Sequence, residues 1–150
     1  MVLQKINITK EQKATEIFTI LDSIFDYRLM SRITLSKKYK TLSKAQKDEF
    51  ALAFERKLKA SYIDKLSLYT DEQTLIKDLV KGKKNRMTLH TVLIGKDDVF
   101  AINYKFYKNK QGSWLIYDIQ LLGISIIQTY RKQFKEYLKK NTVEQLIATM

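Results

Sequence analysis

Cysteine and proline are both missing from this chain, glycine occurs four times and histidine once. Without a thiol there is no disulfide framework, no zinc–thiolate site and no cysteine nucleophile. The redox compartment stays open, because a cysteine-free chain survives in any of them. One histidine, His90, leaves no multi-histidine metal site and reads as a surface or pairing residue within a strand. The four glycines, Gly82, Gly95, Gly112 and Gly123, stand alone at turn-like positions, so no glycine-rich phosphate loop is present. Average usage of about 5 % would supply several prolines; their absence, with so little glycine, removes any flexible linker or low-complexity tract. Also lacking is a run of roughly 18 apolar residues able to span a bilayer, and Lys5, Lys10, Glu11, Lys13 and Glu16 interrupt the start of the chain where a leader would be apolar. A soluble single domain over residues 1–150 is expected, large enough to bury a core without staples.

Positive charge is present in excess. Lys and Arg number 28 against 16 Asp and Glu, a formal net charge of +12. Such a balance suits a negatively charged partner, nucleic acid or anionic lipid headgroups, and equally suits a solvated lysine-rich surface. The basic residues are dispersed and form no polybasic arm.

Four capping-box signatures mark helix starts: Thr9 with Gln12, Ser43 with Gln46, Ser125 with Gln128 and Thr142 with Gln145. The first opens a helix placing Ala14, Ile17, Phe18, Leu21, Ile24 and Phe25 on one face. A short second helix is predicted over 26–35. The longest runs over 44–68, with Phe50, Phe54, Leu58, Tyr62 and Leu66 recurring every four residues, and at 1.5 Å per residue it is about 37 Å long. Segments 87–94, 99–107 and 113–122 are rich in β-branched and aromatic residues and are separated by IGKDD and KNKQG, as in an antiparallel meander. Segment 73–80 could be helix or strand; KGKKN at 81–85 looks like a hairpin loop and favours a strand. Phe100, Ile102, Tyr104 and Phe106 alternate with Ala101, Asn103 and Lys105, giving one buried and one wet face. After Gly123 comes a helix with Ile126, Tyr130, Phe134 and Leu138 in a stripe, then a short helix from Val143. The fold class expected is α+β: a curved antiparallel meander of four or so strands with N-terminal and C-terminal helices packed on one face, enclosing an apolar cavity.

Asp26 and Asp118 are the acids set in apolar surroundings. As a pair they could serve acid/base chemistry; the structural alternative has Asp26 capping the second helix and Asp118 accepting hydrogen bonds from an Arg or Tyr. Nine Tyr, seven Phe, one Trp and four Met make a large apolar inventory. It fits an ordinary packed core, or a sheet and helix that fail to close and leave a cavity enclosed between them.

Three stretches together, FDYRLMSRITL (25–35), LSKAQKDEFALAF (42–54) and WLIYDIQLLGIS followed by YRKQF (114–134), resemble the MlaC family of toluene-tolerance or ABC-transporter auxiliary proteins. The pattern runs from Phe25 to Leu146 in the same order and at similar spacing. Leu122 stands where many members carry an acid, which puts in doubt any polar contact that acid makes, and Thr129 stands where Asn is common. The resemblance implies a periplasmic phospholipid carrier, a monomer and not an enzyme, with no cofactor beyond a bound glycerophospholipid. It also implies a secretory signal already removed, with Met1 an artificial start. Its implied partners are an outer-membrane lipoprotein complex, an inner-membrane MCE-domain ABC transporter and, transiently, an anionic membrane surface; nucleic acid is not among them. By that reading the acyl chains are lined by Phe54, Leu58 and Tyr62 of the long helix, by Phe100, Ile102, Tyr104, Trp114 and Ile116 of the sheet, and by Ile126 and Tyr130 of the following helix, with Arg131 at the mouth near the headgroup. In the last strand, the set Trp114, Ile116 and Asp118 is expected to face inward rather than Leu115, Tyr117, Ile119 and Leu121.

Two other classes fit the residues without the resemblance. A basic nucleic-acid-binding or protein-adaptor module is suggested by aromatics among lysines, as in YKFYKNK at 104–110; its nucleic-acid binding would weaken steeply with salt. An enzyme using Asp26 or Asp118 as base would lose turnover on replacement by Asn, whereas a carrier would lose only stability.

Overall fold

The computed structural model describes residues 19, 22–66, 73–94 and 99–150, with the side chains of 62–66 and 73–75 outside that description. Helix α1 (Tyr27–Leu35) starts where the Asp26 carboxylate accepts the Leu29 N–H at 3.0 Å, and stops at Ser36, whose φ of 54° takes the chain out of helical geometry. A 3₁₀ turn (Ser36–Thr41) leads to α2 (Lys44–Leu66). A reciprocal capping box opens α2: Ser43 Oγ accepts the Gln46 N–H at 3.2 Å, and Gln46 Oε1 accepts the Ser43 N–H at 2.8 Å.

Strands β1 (Gln73–Lys81), β2 (Arg86–Ile94), β3 (Val99–Lys108), β4 (Trp114–Leu121) and the two-residue β5 (Ile124–Ser125) form one antiparallel sheet in chain order. The 73–80 segment is thus a strand, and the first hairpin turns through KGKKN with Asn85 at φ 60°, a conformation Asn tolerates. Helices α3 (Ile126–Tyr137) and α4 (Val143–Thr149) complete the chain, the latter opened by a full capping box from Thr142 and Gln145.

The predicted first helix does not reach Phe25. Residues 22–24 form a turn, and Phe25 makes a parallel bridge to Ile116, flanked by Asp26 N–H to Ile116 O at 3.0 Å and Ile116 N–H to Ile24 O at 2.7 Å. The cause lies in β4: β5 pairs only with Gln120 and Leu121, so the first half of β4 has unpaired backbone groups that residues 24–26 satisfy. Thr19 is helical; the apolar positions Ala14, Ile17, Phe18 and Leu21 of that helix, and its cap at Thr9, lie outside the described residues.

A second correction concerns the inward face of β4. Pairing runs Lys105 with Asp118 and then Phe106 with Ile116, so Tyr117 is a bulged residue. A bulge inverts the alternation beyond it. Ile116 faces the core before the bulge, and Ile119 and Leu121, opposite Tyr104 and Ile102, face it afterwards. Trp114 is half-buried and outside the core cluster.

The core joins both helix layers to that face. Met30 and Leu35 of α1, Phe50, Phe54 and Leu58 of α2, and Ile127, Tyr130 and Phe134 of α3 are buried with Ile102, Ile116 and Ile119. The Phe54 ring meets Tyr130 edge-on at 5.7 Å, and Phe50 meets Phe134 likewise at 5.8 Å.

Candidate functional site

Residues directly opposite one another in an antiparallel pair share a face. Tracing the register outward from the core therefore gives one continuous surface: Ile119 of β4, Tyr104 of β3, Leu89 of β2 and Leu79 of β1, with Leu121, Ile102, Thr91 and Ile76 in the row beside it. Burial falls along it. Ile119 and Ile102 are fully buried and Tyr104 and Leu89 half-buried, but Ile76 and Leu79 are 63 % and 55 % exposed. The apolar face of the sheet thus outruns the described helices that cover its β4 end. The one polar side chain in the row, Thr91, is satisfied by donating to Ile102 O at 2.6 Å. The opposite face carries a polar ladder: His90 Nδ1 lies 3.1 Å from Asn103 Oδ1, and Asn103 Nδ2 donates to Gln120 Oε1 at 3.3 Å, so the lone histidine is a cross-strand pairing residue.

Phe54, Leu58, Ile102, Ile116 and Tyr130 come together in the buried core. Phe100, Tyr104 and Ile126 are half-buried against it, while Tyr62 lies on α2 with its side chain outside the described residues. Sequence reasoning missed Ile127, which is buried where the four-residue stripe pointed to Ile126. It also missed Leu89, Ile76 and Leu79, whose shared face follows only from the register and the irregularity between Ile76 and Asp78.

The two carboxylates hold the scaffold. Asp26 caps α1 with one oxygen and accepts the Tyr107 hydroxyl with the other, tying helix to sheet. Burial, reinforced by Asp26, pushes the Tyr107 phenol up to about 12. Among the described residues Asp118 has neither an Arg nor a Tyr partner. Its Oδ1 accepts the N–H groups of Ile119 (2.8 Å) and Ile127 (3.2 Å), and its Oδ2 accepts the Ser125 hydroxyl at 2.6 Å. The Gly-Ile-Ser corner explains the difference: it folds the start of α3 back over β4, presenting the Ile127 N–H and the Ser125 hydroxyl to the strand's carboxylate. Ser125 Oγ in turn caps α3 by accepting the Gln128 N–H at 3.0 Å.

Arg131 is exposed and donates to Ser36 Oγ at 3.1 Å. It lines a groove of about 560 Å³ between the end of α1 and α3, which it shares with lysines and with none of the other ten residues expected around the acyl chains. A smaller pocket of about 270 Å³ lies over Asp26, Arg28, Arg32 and Tyr107. Among the described residues no cluster of acids and histidine has metal-site geometry, and no helix is long and apolar enough to cross a membrane.

The chain is 27 % identical over 120 residues to the intermembrane phospholipid transport system binding protein MlaC of Haemophilus influenzae, covering 77 % of this chain and 56 % of that protein. It spans a little over half the length of that curated relative. Its fold matches that of a phospholipid-binding protein from Ralstonia solanacearum solved in complex with a phospholipid, with a TM-score of 0.80 at 18 % identity over 99 % of this chain and 87 % of the other. The family model described as MlaC protein matches residues 2–150, and on that match this chain belongs to the MlaC family.

Proposed function

We propose that the protein is a non-enzymatic phospholipid carrier that holds acyl chains between the inner face of its sheet and α2, and works in the periplasm between an outer-membrane lipoprotein complex and an inner-membrane MCE-domain ABC transporter. The single observation that carries the reading is the apolar sheet face running from the buried Ile119 out to the exposed Ile76 and Leu79. An acyl chain laid along that face would cover what the helices leave open. Phe54, Leu58, Tyr62, Phe100, Ile102, Tyr104, Ile116, Ile126 and Tyr130 form its inner lining, and Leu89, Ile76 and Leu79 extend it toward solvent. The names of the Haemophilus and Ralstonia proteins support the choice of ligand.

The energetics suit a shuttle. Each buried methylene is worth about 0.8 kcal/mol, so two chains of some 15 carbons represent roughly 24 kcal/mol of gross transfer from water. A bilayer offers nearly the same, so exchange between membrane and carrier lies close to neutral and the load can be released.

The test is transfer of a fluorescent phospholipid from donor vesicles to the protein, at low salt and again at roughly tenfold higher salt. Uptake that survives the salt increase is the expected result, because acyl burial is not screened. No uptake, or uptake abolished by salt, would overturn the proposal.

A further inference from the structure

The groove between the end of α1 and α3 gathers six exposed cations, Lys37, Lys38, Arg131, Lys132, Lys135 and Lys139, and among the described residues no carboxylate lines it. Two acids of the described residues flank it. Glu136 pairs with Lys139 at 2.8 Å and lies near Lys135, while Glu144 is held chiefly by Gln46, with Lys38 a lesser influence. The six cations are therefore far from neutralised. The floor is apolar, with Leu35 buried and Leu138 half-buried.

We propose that this groove is a docking site for an acidic segment of a partner protein, distinct from the lipid-holding face. Three observations select that occupant. Arg131, Lys132 and Lys135 cover about 6 Å of the α3 axis, Lys139 follows just past the helix end, and Lys37 and Lys38 follow the end of α1, more cations than one phosphate group can meet. The site is concave, walled by the end of α1 on one side and α3 on the other, whereas a membrane plane is met by a convex or flat patch. Among the described residues no aromatic side chain lines it, so they offer no stacking platform of the kind single-stranded nucleic acid uses. A chain bearing several carboxylates and an apolar side chain for the leucine floor matches all three. The proposal stands on the groove alone and does not depend on what the sheet face binds.

The experiment measures binding of a fluorescent deca-glutamate peptide by anisotropy, with two charge-reversal pairs that change net charge equally. K132E with K135E lies in the groove; K83E with K84E lies on the exposed first hairpin turn. All four positions are solvent-facing, and circular dichroism checks that both variants fold. The groove pair should weaken binding by about tenfold or more and the hairpin pair by less than about twofold. Equal losses would reduce the effect to net charge, and no loss in the groove pair would remove the site; either overturns the proposal. It also fails if inorganic phosphate displaces the peptide as well as unlabelled deca-glutamate does. It fails equally if the groove pair abolishes binding to phosphatidylglycerol vesicles or a single-stranded oligonucleotide while leaving the peptide bound.

Discussion

Asp118 shows how one side chain can fix a corner. It occupies three donors at once, two of them backbone N–H groups in a buried setting. Asp118→Ala should therefore cost about 3 kcal/mol, measured by urea denaturation, because the N–H groups of Ile119 and Ile127 lose their acceptor without gaining water. Leu122 presents the opposite case. With Gly123 it forms a two-residue turn in which both residues have positive φ, 53° and 82°, and its side chain is 61 % exposed. An L-residue with a branched side chain is strained there, so Leu122→Asn should raise stability by about 1 kcal/mol. Tyr107 gives a pH signature. Its phenol is held to about 12 in the folded protein against 10.0 for a free tyrosine, so the folded state binds that proton more tightly. The stability this confers is complete below pH 10 and is lost as pH climbs toward 12. Denaturation across that window should show a steeper fall for the natural protein than for Tyr107→Phe. At this scale the sequence revealed that Asp118 mattered but not its partners, since two of its three donors, Ser125 and Ile127, are brought near only by the folded corner.

Elements were legible where a local chemical rule decides them. The capping boxes at Ser43 and Thr142 and the Asp26 cap mark helix starts that tertiary contacts then leave in place. The bulge at Tyr117 was not legible, because apolar residues occupy both parities of WLIYDIQL, Trp114 and Ile116 on one and Leu115, Tyr117, Ile119 and Leu121 on the other, and no local signal marks where the inward face switches between them. Nor was the early end of the first helix, which depends on the unpaired half of β4 some ninety residues later in the chain. The same distinction separates two classes of apolar residue in the proposed site. Phe54 is fully buried against Phe50 and Tyr130, so Phe54→Ala should cost about 3–5 kcal/mol whether or not lipid is bound. Ile76 and Leu79 lie on the same sheet face but in the open. Aspartate at both positions should change stability by no more than about 1 kcal/mol while sharply reducing lipid retention, measured by extraction and mass spectrometry.

For the whole molecule, charge and apolar surface divide the labour. The formal charge of +12 does not spread evenly: six cations converge on one groove, a fact hidden in sequence because Lys37 and Lys38 are distant from α3 until α1 packs against it. The apolar residues, ambiguous in sequence between a dense core and a cavity lining, pack as a core between the helices and the β4 end of the sheet, while the same sheet face continues to the exposed Ile76 and Leu79. That division is the central claim, and native mass spectrometry of the protein purified from cells, followed by organic extraction, tests it most directly. The account predicts a diacyl phospholipid bound in stoichiometric amount. A protein that carries none, and takes none from labelled vesicles, would contradict it.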